Sequence, residues 1–492
     1  MTLASRRPSL VLHVLGLTLA VSGLGILVAG VIDAADGGSD VAVLFGCGLA
    51  VSAVGAFLWR FTEVPDRLQL IDVFTTVTLA WVGMALAGAV PYILTGTLTA
   101  VDDAIFESVA GFTTTGATVL RPIEDASAGI LFWRSITQWI GGMGVIVLVV
   151  AVLPTVGAGG MDLLEAEAPG PTGERLTPRV RHTARRLWGV YLGLTFAYAA
   201  AYTLAGMSLY DGFAHSFTTV STGGFSPHSA SLGYFDSIVI EWIAISGMFI
   251  AGGSFTLWYR LMRGKVGPLL SSAEFKLYVV VVVVATAICF FTADAGYSTQ
   301  DGIRNSLFTV LSVASTTGYA TVDFGAWGEA AQAVLLLLMP IGAMAGSTAG
   351  GVKLVRILAV ASYAHRATLR QLHPHMIRPI RIGRTILDDD ITSRVLGFLV
   401  LALAAFGGSG FLIVLTGTDL VTAFSAAATT FGNVGPGLGD VGPSSDFLNL
   451  PRFARWVSTG NMILGRLEIY PVLLALAAIP RPRGLVLSRI RG

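Results

Sequence analysis

Phe106-Glu-Ser-Val-Ala-Gly-Phe-Thr-Thr-Thr-Gly116, Phe213-Ala-His-Ser-Phe-Thr-Thr-Val-Ser-Thr-Gly223 and Phe308-Thr-Val-Leu-Ser-Val-Ala-Ser-Thr-Thr-Gly318 are three versions of one segment, each with a Phe ten residues ahead of a Gly. A fourth, Phe424-Ser-Ala-Ala-Ala-Thr-Thr-Phe-Gly-Asn-Val-Gly435, fits with one extra residue. Each carries aspartate on its upstream flank: Asp102 and Asp103, Asp211, Asp301, and Asp419. All four lie between long apolar runs, and repetition at a spacing of ~100 residues means one structural unit used four times. The segments are too short to cross a bilayer and too apolar for plain surface loops. A short helix entering from one face, followed by an extended return, satisfies both limits. Non-helical backbone at membrane depth is tolerated only where it is buried in protein or lines a cavity. Four such re-entrant segments around a common axis make an ion-selective pore.

The residue types fit that reading. Stripping water from a monovalent cation needs a ring of oxygens, which backbone carbonyls supply without fixed charge. Pore helices with their C-terminal ends toward the ion add negative potential. Turning successive carbonyls inward demands backbone angles that favour glycine. Neighbouring Thr and Ser hydroxyls can brace the strand. One Thr-Thr-Gly says little, whereas four, each between spans and behind a Phe, are specific.

The rest of the chain agrees. Of 492 residues, 54% are hydrophobic and 12% charged, about half the charged share of a soluble protein. Runs such as Leu10 to Val31, Val41 to Leu58, Val73 to Leu94, Ile130 to Val156 and Leu187 to Leu209 approach or exceed the ~20 residues that span a bilayer. Further runs at Ile238 to Trp258, Leu277 to Thr292, Ala330 to Met344, Val395 to Thr416 and Val472 to Ile479 bring the expected number of spans to about ten. The first run is too long for a removable signal peptide and lacks a small-residue cleavage site. The expected class is therefore an all-α polytopic membrane protein: two leading transmembrane helices over 1–69, then membrane–pore–membrane repeats over 70–156, 157–265, 266–385 and 386–492. Cys47 and Cys289, far apart in apolar runs, read as buried free thiols. Net charge is +1 and implies no nucleic-acid partner. Basic residues gather at Arg60 and Arg67, Arg175 to Arg186, Arg260 to Lys265, Arg366 to Arg384 and Arg481 to Arg491. The positive-inside rule puts these loops and both termini in the cytoplasm.

Several motifs together resemble the Trk/Ktr/HKT superfamily of cation transporters, and most closely its bacterial TrkH branch. They are Gly111-Phe-Thr-Thr-Thr-Gly-Ala-Thr118, Gln138-Trp-Ile-Gly-Gly-Met-Gly144, Ser221-Thr-Gly-Gly-Phe225, Ser315-Thr-Thr-Gly-Tyr-Ala-Thr321, Ala345-Gly-Ser-Thr-Ala-Gly-Gly-Val-Lys353, Asn433-Val-Gly-Pro-Gly-Leu-Gly439 and Gly465-Arg-Leu-Glu-Ile-Tyr470. The resemblance implies four membrane–pore–membrane units around one pore, and potassium uptake across the bacterial cytoplasmic membrane. It also implies a homodimer with one pore per subunit, and a TrkA-like cytoplasmic ring that binds nucleotide in place of this subunit. On it, the filter falls on Thr114, Thr115 and Gly116; Ser221, Thr222 and Gly223; Thr316, Thr317 and Gly318; and Asn433, Val434 and Gly435. No cofactor is implied; potassium is cargo, bound at the filter residues only. Glycine at all four closing positions goes with potassium over sodium in this superfamily.

Lys353 follows a Gly/Ser/Thr-rich break, Gly342 to Gly351, inside an apolar run. An ionisable group there costs about 2.5–3.5 kcal/mol on insertion scales and faces a cavity or partner. The small residues Gly346, Ser347, Thr348, Gly350 and Gly351 form a stretch able to constrict a pore, and the resemblance makes it the intramembrane gate of the third repeat. The alternative is a Lys353 that snorkels to the cytoplasmic face above glycines used for helix packing. Arg466, two residues before Glu468, is a second buried charge, expected in an ion pair, local or across repeats, or tuning the ion path. Glu107 is expected either to gather cations at the outer mouth or to serve helix packing. His215 has no second ligand at metal spacing.

Other classes fit less well. Tyr210-Asp211 and Gly437-Leu-Gly-Asp440 mimic an intramembrane aspartyl protease, yet neither aspartate falls inside a span. Gly346-Ser-Thr-Ala-Gly-Gly-Val-Lys353 resembles a P-loop, but Val352 precedes the lysine and no Ser/Thr follows it. A secondary transporter of an organic substrate has broken spans too, but usually two related halves. It is the runner-up.

Overall fold

The computed structural model describes residues 7–65, 69–151, 177–294, 296–376, 379–383 and 385–478. Arg67, Arg175, Arg378 and Arg384, the tail of the Ile130 to Val156 run, and everything from 479 onward lie outside them.

A leading hairpin of α1 (Leu10–Asp36) and α2 (Val41–Phe61) opens the fold, its ends held by short parallel strands β1 (Arg7–Pro8) and β2 (Thr62–Glu63). The two helices touch backbone to backbone. A Cβ at Gly16 would lie 2.8 Å from Gly55 O, and one at Gly23 2.8 Å from Gly48 O. Glycine lets the helices approach this closely, which is how apolar helices associate where lipid offers no hydrophobic drive. The carboxylate of Asp33, at the end of α1, accepts from Asp40 N and Gly129 N, at 3.0 and 3.1 Å. That fastens the hairpin to the first repeat.

Four helical units follow. The first comprises α3 (Leu70–Leu94), α4 (Val101–Phe112) and α5 (Ala128–Ala151). The second comprises α6 (Thr177–Leu204), α7 (Leu209–Val220), α8 (Ile238–Gly252) and α9 (Phe255–Met262). After the short α10 (Gly267–Ser271), the third comprises α11 (Ala273–Thr292), α12 (Thr299–Ala314), α13 (Glu329–Leu338) and α14 (Leu354–Leu372). An antiparallel pair, β3 (Ile380–Ile382) and β4 (Thr385–Leu387), leads to the fourth: α15 (Asp389–Val414), α16 (Leu420–Gly432), α17 (Arg452–Leu467) and α18 (Ile469–Ala478).

Among the described residues, six helices are long and apolar enough to cross a membrane (α1, α2, α3, α6, α11 and α15), and two bent pairs raise this to eight. The sequence expects about ten spans, some of them broken, and the breaks fall at identifiable residues. The run Ile238 to Trp258 turns by 106° between α8 and α9, where Gly253 and Ser254 offer no bulk to hold a helix. The last pair turns by 108° at Glu468, a residue with φ of 59°. The run Ala330 to Met344 stops being helical at Leu338, just before Pro340 and Gly342. Pro and Gly in sequence cannot be held in a helix at low cost.

Polarity is distributed inside out. Leu49 and Phe57 on α2, Val283 and Phe291 on α11, and Val400 and Leu403 on α15 are exposed, while nearly every Thr and Ser of the four repeated segments is buried.

The repeated segments begin as the expected short helices, α4, α7, α12 and α16, of 12, 12, 16 and 13 residues. At ~1.5 Å per residue none can cross a bilayer. The upstream aspartates now have a reason. Asp419 caps α16 by accepting from Thr422 N at 3.0 Å; Asp211 and Asp301 sit in the first turns of α7 and α12 behind the caps Ser208 and Ser298; Asp102 and Asp103 open α4. Acids belong at helix N-termini, where they offset the macrodipole. Each short helix packs against the long helix before it and against the last long helix of the preceding unit: α5 on α7, α8 on α12, α13 on α16, and α17 on α4. α18 also packs on α3. The chain thus closes into a ring.

Candidate functional site

The ring is tightest where the short helices end. Thr114, Thr222, Thr316 and Asn433 all have positive φ, between 52° and 58°, and Gly116, Gly224, Gly318 and Gly435 follow two residues later with φ of 77°, 77°, 80° and 102°. The hydrogen bonds repeat in the same register. Thr114, Thr222, Thr316 and Asn433 donate their N–H three residues back; Thr115, Gly223, Thr317 and Val434 donate five residues back. A Cβ at Gly116 would press on Gly223 O, one at Gly224 on Thr317 O, one at Gly318 on Val434 O, and one at Gly435 on Thr115 O. Each segment's glycine therefore lies against the next segment's carbonyl, in the order one, two, three, four, one. These same four glycines line a cavity of about 360 Å³ at one mouth of the ring.

This register corrects the second segment. Counting from Phe213 puts Gly223 opposite Gly116; the backbone puts Gly224 there, with Thr222 and Gly223 opposite Thr114 and Thr115. Ser221 instead matches Thr113 as the residue that ends its helix. The helix holds one more residue between Phe and cap, so Phe spacing misleads by one. We expect Gly224→Ser to cut rubidium uptake, or its discrimination against sodium, about tenfold, since a left-handed Cβ alone costs about 1–2 kcal/mol. Gly223→Ser should act more weakly, because Gly223, unlike Gly224, has no positive φ, and its Cβ meets the Gln138 side chain rather than backbone. Equal effects, or the reverse order, in a competition uptake assay would refute the register.

Side chains brace the segments from behind. Gln138 Nε2 donates to Gly223 O at 2.6 Å while its Oε1 accepts from Phe225 N at 3.0 Å. Tyr319 Oη donates to His215 O at 2.9 Å and meets the hydroxyls of Thr218 and Thr219 at 2.5 and 3.0 Å, binding segment three to segment two. Thr113 with Thr115, and Ser315 with Thr317, share hydroxyl bonds of 2.7 Å. Asn433 Nδ2 donates to Thr115 Oγ1 and Met462 O, both at 2.9 Å, tying segment four to segment one. Gln138 stood in a quoted motif, but nothing in the sequence pairs it, or Tyr319, with a particular strand.

The break between α13 and α14 lies against the inner ends of the segments. Gly350 N–H donates to Thr316 Oγ1 at 2.8 Å, and Thr348 Oγ1 donates to Val220 O, the last residue of α7, at 3.0 Å. A Cβ at Gly350 would meet Gly432 O and Asn433. Two basic side chains hold the loop from the other side: Lys353 Nζ donates to Ala349 O, and Arg466 Nη1 to Thr348 O at 2.7 Å. Lys353 therefore folds back on the loop instead of snorkelling away. The Glu274 carboxylate accepts from Ala345 N and Val355 N, at 2.7 and 3.1 Å, at either end of the same stretch. Ser347 closes the turn onto Met344 O at 2.6 Å, while Gly346 and Gly351, with φ of 75° and 71°, bend it.

Four other expectations resolve. Arg466 does not pair with Glu468, which instead meets Arg356; its second amino group donates to Gly141 O on α5 at 3.2 Å. The helix break at Glu468 turns the two side chains apart. Glu107 does not face the outer mouth: it is fully buried and ion-paired with Arg134 at 2.8 Å. Both His215 ring nitrogens are engaged, Nδ1 with Asp211 O at 2.9 Å and Nε2 with Ser226 Oγ at 3.0 Å. Cys47 and Cys289 are free and buried.

Residues 42–484 match the TrkH family profile, described as cation transport protein. The chain is 38% identical to the Trk system potassium uptake protein TrkH of Halomonas elongata, over 84% of this chain and 87% of that protein. It is 38% identical to TrkH of Escherichia coli strain K12, over 86% and 88%. The fold superposes on the crystal structure of the potassium transporter TrkH from Vibrio parahaemolyticus with a TM-score of 0.86 at 34% identity, covering 95% of this chain and 98% of that one. A ring of four re-entrant segments, coverage of most of both chains and this degree of identity coincide: the chain belongs to the TrkH family of multi-pass membrane cation transport proteins, which are transporters and not enzymes.

Proposed function

We propose that this chain takes up potassium across the bacterial cytoplasmic membrane through a single pore, as a channel or symporter. Its filter is formed by Thr114–Gly116, Thr222–Gly224, Thr316–Gly318 and Asn433–Gly435. The carrying observation is the closed cycle in which each segment's glycine abuts the next segment's carbonyl. A ring of backbone oxygens is the chemistry that replaces a monovalent cation's hydration shell. The short helices aim their C-terminal ends at the same place, adding negative potential. Relatives named as potassium uptake proteins support the choice of ion. Rubidium uptake in a bacterial strain lacking its own potassium uptake, with sodium as competitor, tests this. Saturable uptake that sodium barely inhibits is the expected result; uptake absent, or inhibited equally by sodium, would overturn it.

In this reading the repeats run over 70–156, 157–265, 266–385 and 386–492, and both termini are cytoplasmic. The protein works as a homodimer in lipid, each subunit with its own pore. The loop of Gly346, Ser347, Thr348, Gly350, Gly351 and Lys353 is the gate, and Arg466 places its charge beside the ion path. The loop's bonds to Thr316 and to the end of α7 support that role, because a chain lying across the inner ends of three segments obstructs an ion leaving them. A TrkA-like nucleotide-binding ring docks on basic cytoplasmic residues, among them Arg185, Arg186, Arg366, Arg370 and Arg381, and moves the loop.

A further inference from the structure

Behind the first two segments sits a charged pair with no counterpart behind the others among the described residues. Glu107 lies six residues before the helix-ending Thr113. The matching positions, six before Ser221, Ser315 and Gly432, hold His215, Thr309 and Ala426. Glu107 and Arg134 are each at most 1% exposed. The carboxylate accepts from Arg134 Nε at 2.8 Å, from Thr118 Oγ1 at 2.9 Å and from Val119 N at 2.9 Å. The guanidinium in turn donates to Ser226 O at 3.0 Å and Thr118 Oγ1 at 3.2 Å, and its carbon stands 4.1 Å over the Phe225 ring. Thr118 and Val119 continue the strand after Gly116; Phe225 and Ser226 continue the strand after Gly224. One ion pair therefore grips both strands just past their filter glycines. Segments three and four are held there by neutral bonds instead, Ser312 Oγ to Tyr319 O at 2.6 Å and Ser425 Oγ to Leu438 O at 2.9 Å, with the Tyr319 hydroxyl reaching segment two.

We infer that Glu107 and Arg134 are specificity-determining positioning residues, which fix the separation of the first two filter strands and thereby the discrimination of potassium from sodium. The inference rests on the filter reading above. The physical reason lies in geometry. Sodium is smaller than potassium, so a ring of oxygens rejects it only if the strands are kept from closing around it. Bonds in a planar fork resist that closure because the guanidinium must satisfy Glu107, Ser226 O and Thr118 at fixed angles. A lysine in the same place keeps the charge and loses the fork.

The test uses the full chain in liposomes, reading rubidium flux with and without sodium competitor. Arg134→Lys and Glu107→Gln should each lower the rubidium-to-sodium ratio about tenfold, as expected for displaced positioning groups. Thr118→Val, which leaves both charges paired, should lower it by about threefold on the same ground. Arg304→Lys, in the separate ion pair with Glu241 at 2.5 Å that also joins two repeats, should leave the ratio unchanged. Gly318→Ser serves as the reference for the filter. If Arg134→Lys and Thr118→Val retain the wild-type ratio while Gly318→Ser lowers it, the pair is structural only and the inference falls alone. If Gly318→Ser also leaves the ratio untouched, the filter reading fails and takes the inference with it. Should the buried-charge variants fail to fold, Thr118→Val decides by itself: a lowered ratio supports the clamp, an unchanged one overturns it.

Discussion

Gly318→Ser is expected to lower discrimination of rubidium from sodium about tenfold or more, in protein that still folds and inserts. Gly318 has φ of 80°, where any residue with a Cβ is strained. The added Cβ would run into Val434 O and come within 2.9 Å of Pro436 Cδ, so neither the backbone of segment four nor its proline ring can yield by rotating a side chain. The carbonyls of Thr317 and Val434 must then move, and these are the oxygens on either side of the glycine in the ring. The substitution adds only a hydroxymethyl group, and it is aimed at the carbonyl of Val434. It therefore tests carbonyl placement more than packing. Flux and selectivity unchanged at normal expression would show that this glycine does not shape the filter.

Deleting Ala345 to Gly350 is expected to raise flux about tenfold or more and to make it insensitive to a cytoplasmic partner, because a steric and charged obstruction below a filter limits conduction directly. The structure explains why the chain can survive the deletion. The loop closes at its neck: Val352 N donates to Pro340 O and Leu354 N to Ala343 O, both at 3.0 Å, and Gly351 lies against Gly342. These bonds flank the deleted residues and keep α13 and α14 in place. The deletion removes the donor to Thr316, the hydroxyl on Val220 O, and the carbonyls that hold Lys353 and Arg466. Flux through liposomes, with and without the partner, is the measurement. Conduction that stays low and partner-dependent would show that the gate lies elsewhere.

The sequence alone determined the repeating plan. Short helices between spans, aspartates at their starts and glycines past their ends are local requirements, set by helix length, capping and backbone angle, so they are written in residues a few positions apart. Local pattern failed where the answer depended on how a strand is held. Phe213 and Gly223 keep the spacing of the first segment, yet α7 runs one residue further past its Phe, and the backbone angles together with the neighbouring carbonyl of Thr317 show that Gly224 fills the ring position. The same holds for charges. Glu107 looked able to face the outer mouth until Arg134, twenty-seven residues on, was seen to bury it. Arg466 stands two residues from Glu468, but the bend between α17 and α18 separates them and delivers the guanidinium to Thr348 O, 118 residues away in sequence. In a membrane interior a buried polar group must find a partner, and sequence names the group without saying which distant backbone atom folding will bring to it. Tertiary packing made those choices, because which carbonyl stands beside a buried donor depends on how the helices are arranged around it.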